Sequence, residues 1–138
     1  MADNVPAQTV YPNLKYADPK AAIAFLAEAF GFTAHFVVET PDGTVEHAQL
    51  RVGNQLIFLS KDQPADRYGM HSPLALKGTS HALCVWVPDS ALDEHQRRAQ
   101  ERGARILNPV HASIAGVREY SCADPENQVW TFSSYTGE

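Results

Sequence analysis

His47 and Arg118 combine residue type and spacing in a way that suggests chemistry. Each stands six residues ahead of a turn, at Gly53 and at Asp124, so two parts of the chain would present them alike. Arginine can grip a carboxylate or carbonyl group with two N–H donors, and histidine carries a proton that modest changes of surroundings can move. Both could equally brace a sheet through hydrogen bonds to neighbouring strands. Tyr11, Asn13 and Gln49 would add polar anchors. Trp86 and Tyr120 could stack on a planar ligand or simply fill the interior. Cys84 and Cys122 lack the nearby base a nucleophilic thiol needs, and read as small buried filler. His35, His95 and His111 receive no role, and Glu119 falls on the outward register beside Arg118.

The elements that must position these residues are marked by punctuation. Thr9 to Ala17 reads as a strand. Asp18-Pro19 then opens a helix with Ile23, Leu26, Ala27 and Phe30 at helical spacing, and Gly31 stops it. Ala34–Glu39, Glu46–Val52 and Gln55–Ser60 follow as strands, divided by Pro41-Asp42-Gly43 and Gly53-Asn54. His81–Val87 begins the same order again. Ser90 and Asp93 have capping-box spacing for a helix ending at Gly103, and strands are expected at Arg105–Leu107, Val117–Ala123 and Gln128–Ser134. Asp18 and Asp89 lie 71 residues apart, Gly31 and Gly103 72. Two βαβββ modules, about 9–60 and 81–135, are therefore expected in one α+β domain over 1–138. The linker 61–80 has no clear periodicity, and Asp66–His71 within it is a candidate lid.

Alternation divides each strand into two faces. Leu14, Tyr16, Ala48, Leu50, Val52, Leu83, Val85, Val87, Trp130 and Phe132 should meet the helices. The opposite, concave face is expected to carry Tyr11, Asn13 and Lys15, then His47, Gln49 and Arg51, then Ala82, Cys84 and Trp86. Arg118, Tyr120 and Cys122, with Val129, Thr131 and Ser133, are expected to complete it. A solvated sheet face would not normally display Trp86, so a ligand-holding surface fits better.

Composition narrows the partners. The 138 residues suffice for one domain, and 11 basic against 16 acidic residues give a net charge of -5. That balance disfavours nucleic acid and anionic membranes. No apolar run approaches a bilayer span, the N-terminus lacks signal-peptide regions, and two cysteines cannot form a disulfide framework. A cytoplasmic protein is expected.

Pro12-Asn13-Leu14…Asp18…Phe30-Gly31-Phe32 resembles the opening of small glyoxalase/bleomycin-resistance proteins. Gly116-Val117-Arg118…Asp124-Pro125-Glu126-Asn127-Gln128-Val129-Trp130-Thr131-Phe132 resembles their closing segment, and His47-Ala48-Gln49-Leu50 the "H-A-E-L" strand of the PhnB-like branch. The resemblance runs from about Tyr11 to Tyr135 and points to the vicinal oxygen chelate superfamily. It implies paired βαβββ units forming a half-barrel, commonly completed in a homodimer. It also implies one of two activities: metal-dependent catalysis on vicinal oxygens, or metal-free sequestration of hydrophobic drugs.

Four positions discriminate between these. Where the metalloenzymes carry their ligands, this sequence has Tyr11, Ile57, Ala82 and Thr131. Tyrosine and threonine are poor ligands, and isoleucine and alanine cannot coordinate at all. A relocated site would need His47 and His81 with Gln49. The expectation is therefore a metal-free, cofactor-free cavity for a small hydrophobic or aromatic molecule, with Tyr11, Asn13, His47, Gln49, Trp86, Arg118 and Tyr120 in contact. The alternative is a metal-dependent glyoxalase-like lyase, isomerase or dioxygenase.

Overall fold

A computed structural model describes residues 4–138. The first module contains β1 (Asn13–Tyr16), α1 (Pro19–Phe30), β2 (Thr33–Glu39), β3 (Val45–Val52) and β4 (Gln55–Lys61). A short helix, α2 (Pro73–Leu76), lies in the connection. The second module contains β5 (Ala82–Trp86), α3 (Leu92–Glu101), β6 (Arg105–Ala112), β7 (Arg118–Ala123) and β8 (Val129–Ser133). Each module forms an open four-stranded sheet, in the orders β1-β4-β3-β2 and β5-β8-β7-β6. The first strand of each sheet runs parallel to the last and the others pair antiparallel. The chain is thus a duplicated βαβββ α+β fold.

The first helix follows its signals. Asp18 accepts from the Ala21 N–H, Pro19 occupies the first turn without losing a hydrogen bond, and Gly31 closes the end at φ 80. The second helix does not use the expected capping box. A 3-10 turn over Asp89–Ala91 leads into α3, whose start has no side-chain cap. Arg118 instead binds the carboxylates of Asp89 and Asp93 and the Asp89 carbonyl.

β1 and β6 depart most from the expected lengths. β1 is shorter, because Pro12 has no N–H for a ladder. Residues ahead of it are tied to β4 by the Gln8 amide, which bonds both the N–H and the carbonyl of Leu56. β6 is longer. As an edge strand it tolerates Pro109, with register shifts on both sides of Asn108.

The helix-facing sides of both sheets share one core with α1 and α3. Phe30 packs its ring 4.7 Å from Phe132 and 5.6 Å from Trp130, joining the modules. The Arg98 guanidinium of α3 donates to the Glu28 and Ala27 carbonyls at the end of α1, where orphan acceptors gather. The turn after β7 completes the joint. Asp124 accepts from the Tyr16 hydroxyl and the Trp130 indole, and Glu126 accepts from the Ala17 and Asp18 N–H groups.

The connection between modules is organised by two carboxylates rather than by apolar periodicity. Asp66 pairs with Lys15 at 3.0 Å and accepts from the Tyr68 and Met70 N–H groups. Asp62 binds the His71 ring and the Ser72 N–H. No helix among the described residues is long and apolar enough to cross a membrane.

Candidate functional site

Because the apolar sides of both sheets converge on one core, their other sides face away from it. On the first sheet, pairing aligns Asn13 with Phe58 and Phe58 with Gln49, and aligns Lys15 with Ser60 and Ser60 with His47. Cross-strand partners lie on the same face, so these side chains form one surface. Phe58 is its centre. The Tyr11 ring stacks on it with centroids 5.1 Å apart, and the His47 ring meets it edge-on at 5.5 Å. Gln49 Nε2 lies 3.4 Å from His47 Nε2, and Asn13 Oδ1 accepts from Ser60 Oγ at 2.7 Å. Four of the seven residues singled out in the sequence are therefore gathered around an aromatic ring that sequence reasoning omitted.

Trp86 lies on the corresponding face of the second sheet and is 55% exposed. Arg118 and Tyr120 correct the expected concave face. Tyr120 is the cross-strand partner of Phe132, stacks on it at 5.3 Å and is fully buried. Its hydroxyl bonds His95 Nδ1 of α3 at 2.5 Å. Burial, and then the charge of Arg98, push the His95 imidazole down to about 4, while burial lifts the Tyr120 phenol far above its usual range. Arg118, on the same parity, is held by Asp89 and Asp93. Cys122 pairs with Trp130 and is also on the core side, whereas Cys84 is exposed on the concave face.

The residues that take the open positions on β7 are Glu119 and Ser121, partnered with Ser133 and Thr131. Register makes Glu119 the equivalent of His47: one pairs with Ser133, the other with Ser60, and those serines pair with Trp86 and Lys15. The signal was present in the alternation of Tyr120 and Cys122 with Glu119 and Ser121, which places the apolar residues inside.

Register also corrects the set tested for metal. Thr131 pairs with Cys84 and Phe58 with Asn13, so the first-module counterpart of Thr131 is Phe58; Ile57 is buried on the core side. Tyr11, Phe58, Ala82 and Thr131 do not form a donor set for a divalent ion. His47 stands on β3, whereas His81 precedes β5 and lines a hollow with Asn13, Lys15 and His71. Among the described residues no three His, Cys, Asp or Glu side chains group as metal ligands.

A cavity of about 500 Å³ opens at the free edge of β5, lined by Phe32, Leu56, Leu83, Trp86 and His95 among others. Trp86 joins it to the second concave face. Tyr11, Asn13, His47 and Gln49 lie outside its lining.

The family model for the Glyoxalase/Bleomycin resistance protein/Dioxygenase superfamily matches residues 10–132. The chain belongs to that superfamily. It is 32% identical over 121 residues to the uncharacterised proteins Mb0911c of Mycobacterium bovis and Rv0887c of Mycobacterium tuberculosis. The match covers 87% of this chain and 78% and 70% of those proteins, respectively. Among solved structures, TioX from Micromonospora sp. ML1 is similar with a TM-score of 0.72 and 28% identity, over 93% of this chain and 100% of that one. The manganese-bound E126Q mutant of the fosfomycin resistance protein FosX from Listeria monocytogenes has a TM-score of 0.69 and 15% identity, over 97% and 94% of the two chains. That second likeness is one of fold.

Proposed function

We propose that this superfamily member binds a small hydrophobic or aromatic molecule on its concave faces without a metal, and thereby sequesters it. The observation that carries this reading is the Tyr11–Phe58–His47 cluster, an aromatic surface bordered by the Gln49 and Asn13 amides. Aromatic rings supply contact area, and a few fixed polar groups set orientation. Trp86 offers a second stacking surface on the other sheet, beside the apolar cavity at the β5 edge. The donor set at the chelating register favours this reading over a metal-dependent lyase, isomerase or dioxygenase.

A homodimer would complete the cavity. Phe36 is 53% exposed, Val38 is also exposed, and β1 and β5 each have one free edge. A second copy would cover such surfaces, as free strand edges and exposed apolar side chains favour association. The His47-Ala48-Gln49-Leu50 strand supports placement in the PhnB-like branch, and the free Cys84 and Cys122 thiols support a reducing, cytoplasmic location.

Calorimetry of chelator-treated protein against zinc, nickel, manganese and iron, alongside titration with acridine as a planar probe, tests the reading. Acridine binding that Phe58→Ala weakens, with no tight metal binding, is the expected result. Tight binding of about one metal per subunit would overturn it.

A further inference from the structure

One straight row crosses all four strands of the second sheet. Trp86 pairs with Ser133, Ser133 with Glu119, and Glu119 with His111. No lysine or arginine stands in this row: Arg105, on the same face, lies opposite Ala123 at the far end of the sheet and donates to the Asn127 side chain, while Arg118, the neighbour of Glu119 in sequence, is turned to the core side and engaged by Asp89 and Asp93. The Glu119 side chain is half-buried and makes no hydrogen bond or ion pair among the described residues. His111 directs Nδ1 to the Pro109 carbonyl at 2.8 Å and forms no bond with Glu119. Ser133 separates Trp86 from Glu119 and is small and covered, its Oγ accepting from the Tyr135 N–H. Two strand spacings of roughly 4.8 Å therefore set the Trp86 and Glu119 backbones about 10 Å apart, room for a group seated between ring and carboxylate.

We infer that Trp86 and Glu119 together select a planar ligand bearing an amine or other organic cation, Glu119 being the specificity-determining residue. This rests on the proposed binding function and adds the charge of the ligand. A half-buried carboxylate without a partner is costly to leave unpaired, and a cation supplied by the ligand satisfies it. The same cation gains from the negative face of the exposed indole. Glu119 also lies close enough to Cys84 that its charge, after burial, helps raise that thiol, which agrees with a side chain turned to the concave face. On the first sheet the equivalent row contains Lys15, His47 and Val38. Lys15 is already neutralised by Asp66, so that row has no free carboxylate to duplicate the role.

The test uses three probes with one ring system at pH 8: 9-aminoacridine (cation), acridine (neutral) and acridine-9-carboxylate (anion). Each is titrated into the full chain while ring fluorescence is followed. The expected result is binding of 9-aminoacridine about tenfold tighter than acridine, with the carboxylate weakest. Glu119→Gln should erase that preference, while Glu94→Gln, a charge removed from exposed α3, should preserve it. A preference that survives Glu119→Gln, or equal binding of all three probes, overturns the inference and leaves the binding function standing. Failure of all three to bind overturns both.

Discussion

The Tyr16 hydroxyl donates to Asp124 Oδ2 at 2.6 Å, joining positions 108 residues apart and fastening the end of β1 to the turn that precedes β8. The same carboxylate accepts from the Trp130 indole and from the Glu126 and Gln128 N–H groups. A motif that reads in sequence as part of a family signature is, in the fold, the joint between modules.

Removing that carboxylate leaves buried donors without an acceptor. Asp124→Ala should destabilise the fold by about 3 kcal/mol, and Tyr16→Phe by about 1 kcal/mol. Urea denaturation of the two variants checks this. Equal, small losses would show that the joint contributes little.

His95 gives stability a defined dependence on pH. Its folded pKa is depressed to about 4, while the unfolded ring titrates near 6.5. Between those values the unfolded chain binds the extra proton, so stability present above pH 6.5 is lost as pH falls toward 4. The contribution is about 2 kcal/mol, reduced from the full linkage value because part of the ring reaches solvent. The drop in urea midpoint from pH 7 to pH 4.5 should be smaller in His95→Gln than in the parent.

Binding and folding should separate along β7. Tyr120→Phe removes the hydroxyl that meets His95, and Arg118→Ala frees Asp89 and Asp93. Both should lower thermal stability and leave acridine affinity within about twofold, since neither side chain lies on the concave face. Phe58→Ala should weaken acridine about tenfold by removing the ring on which Tyr11 and His47 rest. A large affinity loss in Tyr120→Phe would return that residue to the site.

Lys15 should control order in the connection. Its partner Asp66 is held down at about 2, chiefly by the Met70 N–H and by Lys15 itself. Lys15→Ala should therefore accelerate hydrogen exchange at the Tyr68 and Met70 amides, whose acceptor is that carboxylate. Unchanged exchange would mean that the turn holds itself.

The limits of α1, from Asp18 to Gly31, and the duplication of the βαβββ order were legible in the sequence, because caps and stops act through local hydrogen bonds and local backbone preference. The faces of β1, β3 and β5 were legible too. Their apolar residues alternate cleanly, which brought Tyr11, Asn13, His47 and Gln49 to one surface. β7 was harder. Arg118, Tyr120 and Cys122 share a parity with one charged member, and the structure turns that member to the helix side of the sheet, where Asp89 and Asp93 hold it at the start of α3. A shift of one residue exchanges every side chain between faces. Pairing of Tyr120 with Phe132 and of Glu119 with Ser133 therefore decided what the sequence left open. Local spacing determined which elements form; only contacts between β7, β8 and α3, distant in sequence, determined that Glu119 rather than Arg118 stands on the open face.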